Sequence, residues 1–200
     1  MCGLHHGRTS AVPGEGPADA RIVFIGEGPG YHEDRQGRPF VGPAGQFLNE
    51  LLALAGLQRD DVFIGNVIKC RPPRNRDPLP EEIETCTTAY LFRQIEAINP
   101  PVIVTLGRFS MSLFLPGKKI SAIHGQAFHI QGRLLVPMIH PAAALHQQKY
   151  RAQIEEDFRR LPAILQQAEE AAAHQAEEPP PDAGSNTNDD PPPMEQLSMF

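Results

Sequence analysis

The sequence predicts an α/β fold: a three-layer αβα sandwich around a central, mainly parallel four-stranded sheet. Short apolar runs bounded by glycine or proline alternate with longer segments that carry a helical apolar stripe. The runs end in glycine-rich or polar turns, and the strand ends of an open α/β sheet are where such folds bind ligands. The chain has 200 residues, enough for one such domain with a sizeable core.

Residues 1–20 are irregular, reading CGLHHGRT and then a VPGEGP turn. Residues 22–25, IVFI, form the first strand, and Gly26-Glu27-Gly28-Pro29-Gly30 follows it. The glycines let backbone N–H groups approach a ligand closely. GxGxG is not the dinucleotide pattern GxGxxG, and alone it is also an ordinary turn. After an acidic turn the chain reaches Pro39-Phe40-Val41-Gly42. Residues 44–57 carry Phe47, Leu48, Leu51, Leu52, Leu54 and Ala55 at helical spacing and stop at Gly56. Residues 62–68, VFIGNVI, form the second strand and run into Lys69-Cys70. Residues 71–80, RPPRNRDPLP, are too rich in proline for helix or strand. Pro80-Glu81-Glu82 then opens a helix to about residue 98, with proline and acids in its first turn. Residues 102–106 form the third strand, closed by Gly107 and a short helix to Leu115. Residues 117–125 are a loop carrying Lys118-Lys119. Residues 128–130 and 134–139 make a β-ribbon or fourth strand that ends in His140-Pro141. A terminal helix runs from residue 150 to about 174 and turns polar after Leu165.

Beyond residue 176 the acidic, proline-rich sequence has nothing to bury and is expected to be disordered. The predicted organisation is a domain over residues 1–165, a helix end and linker over 166–195, and a terminal peptide over 196–200. The formal net charge of −6 is unevenly placed. Residues 166–200 hold 8 acidic residues and no lysine or arginine, leaving 16 acidic against 18 basic residues before them. The body is mildly basic, so total charge does not exclude a nucleic-acid partner. No apolar run approaches the ~18 residues of a membrane span, and the N-terminus lacks a signal-peptide core. The expectation is a soluble, cytoplasmic protein without a membrane partner. Its 3 cysteines, an odd number, point to a metal or free thiols in a reducing compartment.

The strand ends supply an unusual set: Gly26-Glu27-Gly28 after the first strand, Asn66 in the second, and His140-Pro141 after the last. With Phe40 they offer an aromatic face, an amide, an imidazole and a carboxylate. Singly, such residues are more often structural; their joint arrival at one rim suits a flat polar ring. GEGPG, PFVGPAGQFL, GNVIKCRPPRNRDP, Cys86 and HPAA, in that order, resemble the family 4 uracil-DNA glycosylases, the iron–sulfur branch of that superfamily. The resemblance spans Cys2 to about Leu165. It implies a monomeric, nucleoid-associated enzyme that excises uracil from single- and double-stranded DNA, leaving an abasic site. It also implies that Gly26, Glu27 and Gly28 line the uracil pocket and that Phe40 stacks on the extruded base. Asn66 would read the base's Watson–Crick edge, and His140 would stabilise charge on uracil O2. Glu27, or alternatively Asp34 or Glu33, would position or activate water. Another deaminated base such as hypoxanthine, or a non-catalytic clamp- and DNA-binding iron–sulfur module, are the competing readings.

The same resemblance implies that Cys2, Cys70 and Cys86 are ligands of a [4Fe–4S] cluster, which as a rule takes four thiolates. The fourth is expected upstream of Met1, with His5 or His6 as a substitute ligand, or a three-cysteine cluster, as alternatives. Lys69, Arg71, Arg74 and Arg76 crowd a short stiff loop and suit phosphate contact, and Lys118-Lys119 would add to it. Leu145 would wedge into the base stack. His124 stands where the family commonly has Arg before Gly, and Ala144-Leu145-His146 replaces Leu-Leu-Arg. The last five residues, with anchors Gln196, Leu197, Met199 and Phe200, resemble the peptide that docks on the bacterial sliding clamp.

Overall fold

The computed structural model describes residues 2–177. The terminal peptide, Gln196 to Phe200, lies outside the described residues, as does the linker before it. Five strands form one sheet in the order β2-β1-β3-β5-β4. They are β1 (Ile22–Gly26), β2 (Phe63–Asn66), β3 (Val102–Leu106), β4 (Phe128–Ile130) and β5 (Arg133–Met138). β2, β1, β3 and β5 run parallel, and β4 lies antiparallel on β5. The sheet thus has one strand more than the four expected. Both arms of the 128–139 ribbon join it, because Gln131 and Gly132 take positive φ (49° and 76°) and turn the chain back at once.

The chain passes from β1 to β2 on one side and then crosses to β3 on the other. That makes the C-terminal end of β1 the switch point, where open α/β sheets bind ligands. Alternate residues of β1 serve two separate cores. Ile22 and Phe24 pack against Phe47, Leu48 and Leu51 of α2 (Pro43–Leu54) and against Phe158 and Leu161 of α8 (Lys149–Glu177). Val23 and Ile25 face the other layer, with Leu91, Ile95, Cys70 and Cys86. That layer is built by α3 (Pro80–Cys86) and α4 (Phe92–Ile98), joined by a wide π turn, Thr87–Leu91. The single helix expected over residues 80–98 is therefore one rod with a bulge immediately after Cys86. The irregular N-terminal segment covers the open edge of β2: Glu15 and Ile64 exchange backbone hydrogen bonds of 2.9 and 2.7 Å. The segments α1 (Tyr31–Gln36) and α6 (Ile120–Ile123) fold as short helices where a turn and a loop were expected, and α7 (Ala142–His146) is a third, in a stretch the sequence left unassigned. At four to six residues they are too brief to show a period.

Candidate active site

The register of β1 with β2 sets Gly26 beside Asn66. A Cβ at Gly26 would stand 2.5 Å from Asn66 Oδ1 and 2.6 Å from Phe40 Cζ, so only glycine lets amide and ring meet there. Asn66 is buried, and its Oδ1 has no hydrogen-bond partner. His140, just past β5, lies against Phe40 with ring centroids 5.6 Å apart and planes 25° apart. Phe40, Asn66 and His140 share one cavity of about 410 Å³ with Gly28, Gly30, Glu33 and Leu145. The backbone N–H of Ala142 donates to His140 Nδ1 at 3.1 Å, which leaves the ring hydrogen on Nε2. Burial pushes the His140 pKa down to about 4, against a weaker upward pull from Glu33. At neutral pH the ring is an uncharged donor.

Phe40 reaches this place on a strained backbone, φ +50°. Glu33 holds the turn. Its carboxylate accepts from the backbone N–H groups of Gly30, Val41 and Gly42 at 3.1, 2.9 and 2.8 Å. From the other side Arg59 donates to the carbonyls of Pro39 and Phe40. Gly45 closes the loop: a Cβ there would lie 1.9 Å from the Phe40 carbonyl oxygen. Glu33 and Arg59 were missed as supports of the loop, because an acid in a turn and an arginine after a helix carry no signal of loop bracing.

The three carboxylates considered for water separate clearly. Glu27 is not on the wall of the main cavity. Glu27 lines an adjoining cleft with Ile68, Pro72 and Arg76. The two spaces share Gly28, Gly30 and Asn75. Burial chiefly, and Asp77 next, raise the Glu27 pKa, with Arg108 opposing. Asp34 is turned away altogether, accepting from the backbone N–H groups of Thr9 and Ser10 at 2.9 and 3.4 Å. Glu33 lines the cavity but is committed to the loop.

A second cavity, of about 190 Å³, is lined by Cys2, Cys70 and Cys86 together with His5, Arg8 and Lys69. Arg8 donates to Cys70 Sγ at 3.0 Å. Lys69, taken from the sequence as part of the basic loop, is buried. Its ammonium donates to the Asn66 carbonyl at 2.9 Å, and burial pushes its pKa down to about 8. It cannot reach phosphate from there. Burial raises the Cys86 pKa, opposed by the Lys69 backbone N–H, and Cys2 and Cys70 add to the rise. His5 faces this cavity with Nδ1 2.7 Å from the Cys2 carbonyl, whereas His6 is exposed. Among the described residues no three His, Cys, Asp or Glu side chains form a group that could hold a single metal ion.

The basic loop divides. Arg76 grips Glu82 with two hydrogen bonds of 2.9 and 2.7 Å, and Glu82 caps α3 through the Leu79 N–H. It is a structural cation, not the free phosphate ligand expected, because a bidentate carboxylate already fills its fork. Arg71 and Arg74 carry no carboxylate partner among the described residues. Leu145 is 51% exposed on α7 at the cavity mouth. His124 pairs instead with Asp157 of α8 at 2.7 Å.

An open, mainly parallel sheet here carries an aromatic ring, an unpartnered amide and a neutral imidazole at its switch point, groups whose chemistry suits a flat polar ring. The chain belongs to the uracil DNA glycosylase superfamily, whose family model matches residues 13–161. It is similar to type-4 enzymes over most of its length. The chain is 48% identical over 169 residues to the type-4 uracil-DNA glycosylase of Archaeoglobus fulgidus, covering 80% of this chain and 84% of that protein. To the type-4 uracil-DNA glycosylase of Thermotoga maritima it is 52% identical over 147 residues, covering 72% and 76%. To that of Sulfurisphaera tokodaii it is 47% identical over 170 residues, covering 80% and 77%.

Proposed function

We propose that this chain hydrolyses the N-glycosidic bond of uracil in DNA, acting on a base extruded from the strand and leaving an abasic site. The observation that carries the reading is the buried, unpartnered Oδ1 of Asn66 beside the Phe40 ring. An amide there offers an acceptor to uracil N3–H and a donor to O4, and cytosine presents the reverse pattern. A mismatched base leaves buried polar groups unpaired, which disfavours it by several kcal/mol. Phe40 stacks on the base. His140, neutral with its hydrogen on Nε2, donates to O2 as negative charge leaves with the uracil, a contribution on the order of 3 kcal/mol. Glu27 holds water from the adjoining cleft and offsets the positive charge on the sugar. Among the described residues no lysine lines the cavity of Phe40, Asn66 and His140, and Lys69 is held on the Asn66 carbonyl, so the reading is of base release without a Schiff-base step.

The test is uracil release from a single-stranded oligonucleotide by the purified chain beside Asn66→Ala and His140→Ala. Release by the wild type, lost in both variants, supports the reading. Oligonucleotides carrying hypoxanthine or xanthine separate uracil from other deaminated bases. Binding of DNA without release of any base would favour a non-catalytic module.

The second cavity suits an iron–sulfur cluster held by Cys2, Cys70 and Cys86. Cys2, Cys70 and Cys86 line one cavity with two cations, Arg8 and Lys69, whose charge would offset that of a thiolate-held cluster. A polynuclear group takes one thiolate per iron and needs no single-ion grouping. When bound it would tie the N-terminal segment, the basic loop and α3 to one centre. His5, on the cavity wall, is the better placed of the two histidines as a further ligand. Iron and acid-labile sulfide in the wild-type protein, lost in Cys70→Ser, would support this; their absence from the wild type overturns it. For the terminal peptide, docking on a sliding clamp rests on the apolar anchors Leu197, Met199 and Phe200 after an acidic tether. Deleting residues 196–200 would abolish clamp binding and spare uracil release. No described helix is long and apolar enough to cross a membrane.

A further inference from the structure

Most arginines near the cavity are already paired: Arg76 with Glu82, Arg108 with Asp77, and Arg38 with Glu15. Arg35 and Arg71 are different. Among the described residues neither has a carboxylate partner; Arg35 donates to the Tyr31 hydroxyl at 3.3 Å and Arg71 to Asn75 Oδ1 at 2.7 Å. Both guanidiniums gather at one ring instead, 5.7 and 5.2 Å from the centroid of Tyr31. Tyr31 is 49% exposed and lines the mouth of the cavity that holds Phe40, Asn66 and His140. It follows β1, whereas Leu145 follows β5, and β3 lies between those two strands.

Two like charges brought to one exposed ring repel each other. The negative face of the ring offsets part of that cost, and a carboxylate would offset it better. With no carboxylate present, the pair is left for an external polyanion. We propose that Tyr31, Arg35 and Arg71 form a contact surface for the DNA strand on one side of the extruded nucleotide, across the cavity from Leu145. The two guanidiniums take phosphates, and Tyr31 is a positioning residue that holds them at the mouth. As a flank to an extruded nucleotide this surface rests on the glycosylase reading. It engages the strand that carries the damage and needs no complementary strand, so it serves single-stranded and duplex DNA alike.

The test measures binding to a uracil-free single-stranded oligonucleotide by fluorescence anisotropy over a range of salt, together with KM for uracil release. Tyr31→Leu fills the space without a π face and should weaken binding about fivefold, since each exposed cation–π contact is modest. Tyr31→Phe keeps the ring and should bind as the wild type does. Arg35→Gln and Arg71→Gln should each flatten the slope of log affinity against log salt by about 0.7. Arg133→Gln, at the opposite end of the strands, should leave that slope unchanged. Wild-type affinity and slope in Tyr31→Leu, or equal damage from Tyr31→Phe, would overturn the proposal. Melting temperatures matching the wild type certify that each variant is folded. Binding to uracil-free DNA does not depend on catalysis. A flattened slope with no uracil release in the wild type therefore sinks the glycosylase reading and, with it, the flanking role. Uracil release with an unchanged slope sinks the contact surface alone.

Discussion

Asn66 and His140 are adjacent in the pocket but answer to different physics. Asn66 contributes through a group left without a partner, so Asn66→Ala should reduce uracil release about 100- to 1000-fold while folding stability changes little. His140 contributes through the charge it lacks. Its folded pKa of about 4 lies below the ordinary 6.5, so the unfolded chain binds the extra proton first as pH falls. Stability should therefore be full above pH 6.5 and decline toward pH 4, by on the order of 3 kcal/mol in all. Chemical denaturation across that window should show the decline, and His140→Gln should flatten it. Glu27 titrates in the other sense. Its pKa is raised, so a base role predicts that activity falls on acidification sooner than an ordinary carboxylate would dictate. A rate–pH profile whose acid limb is unmoved in Glu27→Gln would remove the role.

The loop from β1 to α2 behaves as one element, and its energetics are visible in Glu33. Three backbone N–H groups lose their acceptor in Glu33→Ala, each costing about 1–3 kcal/mol if left buried and unpaired. We expect a clear drop in melting temperature together with a loss of kcat, since Phe40 depends on that turn for its positive φ. Gly45→Ala should be worse, because its new methyl would overlap the Phe40 carbonyl oxygen. A melting temperature equal to that of the wild type in either variant would show that the loop is held by something else. On the opposite face, the π turn directly after Cys86 widens the α3–α4 rod where the thiol cavity lies, so the bulge and the cysteine belong together.

At the scale of the molecule the sheet separates two cavities. One face of β1 packs toward α2 and α8, on the side of Phe40; the other packs toward Cys70 and Cys86. Lys69 joins them, with its backbone on the thiol side and its ammonium on the carbonyl of Asn66. Loss of the proposed cluster in Cys86→Ser should thus lower thermal stability and weaken uracil release together. A variant that keeps full activity without iron would break that link.

Most of the fold could be read from the sequence because it is written in local periodicity: IVFI and VIVTL as buried strands, and the stripe from Phe47 to Leu52 as a helix. The gathering of Phe40, Asn66 and His140 at one rim could also be read, since strand ends in a parallel sheet share an edge. What only the tertiary structure decided are the choices made by partners far apart in the chain. Arg76 is taken by Glu82, Lys69 is buried under Asn66, Asp34 is spent on residues 9 and 10, and Glu27 is turned into a neighbouring cleft. A charged residue in a sequence states what it can bind. Which partner it binds depends on distances and desolvation that exist only once the chain has folded.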